Sequence, residues 1–291
     1  MKTKLFLAAT LALMLTLSSC KKDKEDDVKV EEKEKTSEFQ SSEDNNKQQR
    51  EFDDVMSVSF QALNDALSSD SKARIANELC ASVSHNSNTK SIVVDFGEEG
   101  CEYNNITRKG KVIFTYTGHY QDSGSVLTIS LDNYRVQNTY LSQEYVKVEG
   151  TEVISNKGDL EKGKTWSVEV KDAKITFEDG DVSTWESSRT RVLIDEGTAS
   201  LFDEVYHVYG TASGVNRDGL AYTAEVTSTD PLVFDFPCWI SKRMLVGGTI
   251  TVKPEGEVVR SVDYGYEKVT GEACDRSVTI TYGVFSLNLD L

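Results

Sequence analysis

From Ile92 to Leu291 the chain alternates apolar and polar residues at period two, and turn-forming residues separate the runs. A strand sends successive side chains to opposite faces, so this pattern describes strands with one buried face and one wet face. Val112, Phe114 and Tyr116 share one face, Leu127, Ile129 and Leu131 the next, and Trp166, Val168 and Val170 another. The phase then slips to Ala173, Ile175 and Phe177, which predicts a bulge or turn at Lys171-Asp172. Further strands are predicted over residues 205–209, 220–226, 248–252, 258–264, 278–282 and 285–289. Tight turns are expected at Glu178-Asp179-Gly180-Asp181, Asn216-Arg217-Asp218-Gly219 and Lys253-Pro254-Glu255-Gly256. About ten short strands without long helices between them predict an all-β fold, an antiparallel β-sandwich or a partly closed barrel. Charges interrupt the strands too often for a lipid-facing barrel wall.

The all-β domain is expected over residues 80–291, and two other segments precede it. Over residues 55–79 a helical segment is predicted, because Val55, Val58, Ala62, Leu63, Ala66 and Leu67 recur at spacings near three and four. Ser68-Ser69-Asp70 interrupts it, leaving room for a short second helix over 71–79. Residues 20–54 are crowded with charge, as in Lys21-Lys22-Asp23-Lys24-Glu25-Asp26-Asp27, and nearly free of apolar residues. Such a stretch buries too little surface to offset its ordering entropy, so a disordered charged tether is expected there.

The chain opens as an export signal. Lys2 and Lys4 are followed by an apolar run from Leu5 to Leu17, too short to span a bilayer. Leu17-Ser18-Ser19-Cys20 resembles the bacterial lipobox, a leucine and two small residues before a cysteine. That resemblance implies cleavage of residues 1–19 as a lipoprotein signal peptide and acylation of Cys20. Each buried methylene adds about 0.8 kcal/mol, so several chains on one residue anchor stably. The acidic residues behind Cys20 resemble the surface-export signals of Bacteroidetes-type lipoproteins. The expected location is the outer membrane, lipid-anchored, on the cell surface or the periplasmic face.

Four further cysteines, Cys80, Cys101, Cys238 and Cys274, form an even set, which in an exported protein suggests disulfides. Three connectivities are open; local pairing, Cys80–Cys101 and Cys238–Cys274, is the simplest, each loop contributing roughly 3–4 kcal/mol. No CxxC occurs and His85, His119 and His207 are scattered, so no metal site is expected. A net charge of −16 argues against nucleic acid, which requires a positive footprint. The membrane is therefore a partner through the N-terminal lipid alone.

Val94-Asp95-Phe96-Gly97 before Cys101 is echoed by Val262-Asp263-Tyr264-Gly265 before Cys274. Glycine suits a turn at positive φ and the aspartate can cap neighbouring amides, a structural role. These motifs, with Arg108-Lys109-Gly110-Lys111-Val112, Thr115-Tyr116-Thr117-Gly118, Gly124-Ser125-Val126, Asp132-Asn133-Tyr134, Arg189-Thr190-Arg191 and Cys238-Trp239, resemble a group of uncharacterised Bacteroidetes lipoproteins. The resemblance covers about residues 80–291. It implies the β fold, lipidation and paired cysteines, and it carries over no catalytic residue.

No catalytic constellation is legible. There is no Gly-x-Ser-x-Gly elbow, phosphate loop or dinucleotide fingerprint, and no cofactor is expected. His207 reads as a strand residue and His119 as part of a turn; Glu178 to Asp181 could offer calcium oxygens but equally forms a solvated hairpin tip. Trp166 reads as core and Trp239 as packed on a disulfide, whereas Trp185, between Thr184 and Glu186, is the candidate for an exposed ligand-binding aromatic. Arg189 and Arg191 share a strand face and are expected to pair with acids. The expected function is a non-enzymatic interaction or structural role in the cell envelope, with a glycan or an envelope protein as partner. The alternatives are a glycan- or ligand-binding module for nutrient capture, tied to Trp185, and a hydrolase with facing carboxylates about 5–10 Å apart.

Overall fold

The structure, a computed structural model, describes residues 24–67, 80–139, 142, 144–195, 203–265, 274 and 277–290. The signal segment 1–19, Cys20, residues 68–79 and the loop 266–273 lie outside the described residues. The chain divides into two compact units, residues 1–38 and 39–291. In the first, the described residues 24–38 are helical. The second holds the rest of that helix, α1 (Lys24–Leu67), and all of the strands.

The strands are β1 (Ser82–Asn86), β2 (Ser91–Asp95), β3 (Cys101–Tyr103), β4 (Ile106–Tyr116), β5 (Val126–Asn138), β6 (Val146–Leu160), β7 (Gly163–Thr176) and β8 (Val182–Asp195). They continue as β9 (Val205–Val215), β10 (Ala221–Val226), β11 (Leu232–Asp235), β12 (Thr249–Pro254), β13 (Arg260–Asp263), β14 (Ser277–Tyr282) and β15 (Phe285–Asp290). A short helix, α2 (Phe236–Lys242), follows β11. All the strands belong to one antiparallel sheet that runs from β1 to β15 almost in chain order; only β3 on β4 and β11 on β9 leave the path. The all-β, antiparallel, incompletely closed architecture expected from the alternation is what the chain forms.

The predicted faces are the observed ones. Phe114 stands opposite Ile129 and Val112 opposite Leu131, all on the inner side or partly so. The phase slip after Val170 is a β-bulge, with Asp172 at φ 53° and pairing resumed at Ala173. A second bulge sits between Lys109 and Lys111, where Gly110 takes φ 76°. A Cβ there would lie 2.3 Å from the Asn133 carbonyl oxygen, so the close approach of β4 to β5 requires glycine. Bulges bend strands and increase local twist, which lets one long sheet curl.

What it curls around is α1. Phe52, Val55, Met56, Val58, Phe60, Ala62 and Leu63 are all at most 2% exposed. Phe52 stacks on Trp185 of β8, Phe60 lies 3.9 Å from the Tyr120 ring, and Phe39 meets Tyr282 of β14 edge-on. Here the structure corrects the sequence reading. Residues 39–54 are not a solvated part of a tether, and the helix does not begin at residue 55. Those residues are helical, and Phe39, Asp44, Phe52, Asp53 and Asp54 are buried. The compositional argument fails because many of the polar groups find partners on the sheet. Gln48 bonds Ser183 of β8, Asn45 accepts from the Trp185 indole at 3.0 Å, and Ser41 accepts from Asn216 at 3.0 Å. Buried polar groups are tolerable once paired.

Both disulfides are local, Cys80 to Cys101 and Cys238 to Cys274, with Cα atoms 5.7 and 5.1 Å apart. The second fastens α2. Asp235 caps this helix by accepting from the Cys238 amide, and Arg243 ends it at φ 54°, its N–H bonded to the Trp239 carbonyl. A non-glycine residue in that left-handed region is held there by its surroundings.

Candidate functional site

Between α1 and the sheet runs a seam of buried charge. The helix supplies Asp44, Glu51, Asp53 and Asp54; β4 supplies Arg108, β8 Arg189 and Arg191, the residue after α2 Arg243, and the β9–β10 turn the partly exposed Arg217. Asp44 accepts from the Arg217 amide at 2.7 Å and from its Nε at 2.8 Å. Burial pushes this carboxyl above its ordinary pKa against the pull of Arg217.

The densest knot surrounds Asp54. Arg108 grips it with two bonds, Nη2 to Oδ1 at 2.6 Å and Nε to Oδ2 at 2.9 Å, while the Tyr134 hydroxyl donates to Oδ2 at 3.2 Å. Arg243 lies 3.4 Å from Asp54 and 3.1 Å from Glu51 through the same Nη2. Burial works against the Asp54 carboxylate, yet the two guanidiniums prevail and hold its pKa down at about 2. Burial likewise opposes ionised Glu51, and Arg243, Lys47 and Arg50 hold it below the ordinary range. The Tyr134 hydroxyl is pushed up by burial and by the Asp54 charge. Arg108 Nη1 and Arg243 Nε and Nη1 have no partner among the described residues.

A second knot joins Asp53, Glu152 of β6, Arg189 and Arg191. Asp53 accepts from Gln49 at 2.9 Å, and burial raises its pKa to about 6. Glu152 is pushed well above the ordinary carboxylate value by burial and by the Asp53 charge. Arg191 does not form the ion pair expected for it. Its guanidinium sits about 4 Å over both Tyr206 and Phe234, a cation on aromatic faces, with Nη1 bonded to Met56 Sδ. Asp53 and Glu152 are two carboxylates that feel each other's charge across the seam between helix and sheet, and both are buried, at 7% and 2% exposure.

A raised carboxylate pKa means that folding takes up a proton. The associated stability is fully present below the ordinary pKa of 4.5 and is lost as the pH rises through the raised value. Glu152→Gln, neutral at every pH, is therefore expected to stabilise the protein at pH 7 by about 1–3 kcal/mol. The gain should shrink toward pH 4.5. Urea midpoints at pH 8 and pH 5 measure it; a variant less stable than wild type at pH 8 would contradict this role.

Trp185 is not the exposed platform expected from the sequence. It is 2% exposed, stacked on Phe52, with its indole donating to Asn45. Thr184 and Glu186 face outward, and the alternation of β8 turns the residue between them inward. Trp166 is buried with its indole on the Tyr120 carbonyl, and Trp239 stacks on Phe234 beside the Cys238 disulfide. With all three tryptophans buried, the aromatic basis of the glycan-capture reading is gone. A wide hollow of about 830 Å³ is lined by Thr184, Glu186, Ser213, Thr223 and Lys253 together with Trp185, Tyr222 and Val215, and its two aromatic rings are only 2% and 3% exposed.

His85 on β1 bonds the Tyr116 hydroxyl at 2.7 Å, His119 sits in the β4–β5 turn, and His207 is half-buried on β9. Glu178 to Asp181 form a hairpin tip in which Asp179 caps the Asp181 amide. Among the described residues, no group of three or more His, Cys, Asp or Glu is placed to hold a metal ion. Of the site residues that the sequence reading missed, Arg108, Asp54, Glu152 and Arg243, the first two had a legible signal. Arg108 falls in the inward phase set by Ile106, and Asp53-Asp54 directly precedes an apolar helical stripe.

No family model, curated protein or solved structure matches the chain.

Proposed function

We propose that this chain is a lipid-anchored cell-envelope protein with a non-enzymatic interaction or structural role. The observation that carries the reading is Leu17-Ser18-Ser19-Cys20 at the end of a short apolar run with lysines before it. The two disulfides of the β unit support export, since such bonds persist in oxidising compartments. The charged seam supports a structural role for its ionisable groups: the carboxylates serve to seat a helix in the sheet, and the pair with raised pKa lies beneath that helix.

The test is metabolic labelling with an alkyne-tagged palmitate, followed by detergent phase partitioning. Wild type should take the label and enter the detergent phase. Cys20→Ala should lose the label and move to the aqueous phase. Labelling that survives this substitution, or an unlabelled wild-type chain cut upstream of Ser19, would sink the reading.

A further inference from the structure

The sheet ends at β15, and among the described residues no strand pairs with its outer edge. An edge strand offers a row of unpaired N–H and C=O groups, which stable monomers blunt with lysine, proline or a bulge. β15 carries none of these. It has no proline, lysine or arginine, and its register with β14 runs unbroken from Ser277 opposite Asp290 to Tyr282 opposite Phe285. The other edge, β1, presents Ser82, Ser84, His85 and Asn86, all polar and exposed. β15 also carries the apolar face of the sheet past its cover. Leu287 stands opposite Ile280 and position 289 opposite Val278, and Val278 and Ile280 are each 1% exposed. Residues opposite one another share a face, so Phe285 and Leu287 belong to that inner face, yet they are 61% and 39% exposed. The Phe285 ring stacks on Tyr282 at 5.3 Å, and Val284 in the turn is 92% exposed.

We propose that β15 pairs antiparallel with β15 of a second copy of this chain. Phase is the first reason for that occupant. A two-fold axis through Leu287 sets Leu287 against its own copy, Ser286 against Asn288, and Phe285 against position 289. The apolar phases of both copies then fall on one face and the polar phases on the other, whereas a slip of one residue would mix them.

Charge is the second. Asp290 is the only charged residue of β15, and this register sets it opposite Val284, so the two aspartates stand at opposite ends of the ladder. A charged partner strand would find one carboxylate to recognise, whereas a second copy offers the same apolar phase along the whole strand. The contact is also closed, since each β15 edge covers the other. A six-residue ladder with its flanking apolar side chains buries less than the roughly 1,200 Å² of a stable interface, so a dissociation constant on the order of 10 μM is expected. The inference rests on nothing in the lipid-anchor reading.

The test is sedimentation equilibrium of the full chain in a density-matched detergent, paired with oxidative cross-linking. Wild type should pass from monomer to dimer over about 1–100 μM. Leu287→Lys sets like charges against each other across the axis and should weaken the dimer by about tenfold or more. The urea midpoint of the dilute monomer should not move, because Leu287 is already 39% exposed. Leu287→Cys, which meets its own copy, should form a covalent dimer on mild oxidation, and Ser84→Cys on the β1 edge should not. A chain that stays monomeric at about 100 μM overturns the proposal and leaves this edge to a strand of a different protein. Dimerisation unchanged in Leu287→Lys, or cross-linking through Ser84→Cys as readily as through Leu287→Cys, would place the contact elsewhere and overturn it too.

Discussion

A chain shortened to begin at residue 55 is expected to lose its cooperative fold, whereas one beginning at Phe39 keeps it. The shorter chain lacks Phe52, which is 2% exposed against Trp185, and truncating a buried phenylalanine alone costs about 3–5 kcal/mol. It also lacks Asp44, Glu51 and Asp54, so Arg217, Arg243 and Arg108 lose their carboxylates. Stripping one partner from a buried pair costs about 3–5 kcal/mol, and a whole domain is stable by only about 5–15. The chain from residue 55 should bind a hydrophobic dye and unfold in urea without a sigmoidal transition. The chain from residue 39 retains the whole of the second compact unit and should unfold with the wild-type midpoint. A sharp transition in the chain from residue 55 would mean that α1 before Val55 merely decorates the sheet.

This experiment separates the two readings of residues 39–54 because composition and structure disagree there. Composition counts each charge as an isolated burden, and on that basis the segment stays in water. The charges are not isolated once the sheet has curled. Arg108 is 54 residues from Asp54 in the chain, and Arg243 is 192 from Glu51. No local window contains both members of either pair, so no local reading could have matched them.

Other features were legible because their causes are local. Strands β4, β5, β7, β9, β10 and β12 to β15 coincide with runs of alternation, whereas β6 and β11 fall outside the predicted runs, and the bulge at Lys171-Asp172 follows from a slip in that alternation. The turns at 178–181, 216–219 and 253–256 follow from residues that favour tight reversal. Trp185 was misread by a different route. Its neighbours Thr184 and Glu186 are polar, yet period two puts the residue between them on the opposite face. The same phase argument, applied to Ser183, Trp185, Ser187, Arg189 and Arg191, places the last two indoors with the tryptophan. A charge in the inward phase of a strand is thus the signal to look for a buried partner elsewhere in the chain.

The strongest single substitution expected from that partner network is Asp54→Asn. Asparagine keeps the shape and some hydrogen bonding but leaves Arg108 and Arg243 without the charge that they share. A buried charge with its partner removed predicts a loss of about 3–5 kcal/mol at pH 7. Part of that loss depends on pH in a defined sense. Folding lowers the Asp54 pKa from 3.8 to about 2, so its contribution is present above pH 3.8 and drains away as the pH falls toward 2. That part amounts to about 2 kcal/mol. Asp53 acts in the opposite sense, since burial raises its pKa to about 6 and its neutralisation adds stability as the pH falls from about 6 toward 4; Glu152, pushed well above its ordinary value by burial and by the Asp53 charge, works in the same direction. The two contributions therefore run in opposite directions, the Asp54 part draining away below pH 3.8 and the Asp53 part as the pH rises toward 6. In Asp54→Asn the acid limb should flatten while the limb above pH 4 stays. Urea midpoints at pH 7, 4 and 2.5 measure both limbs. An acid limb unchanged in Asp54→Asn would show that some other carboxylate carries it, and that Arg108 and Arg243 are neutralised by a group other than Asp54.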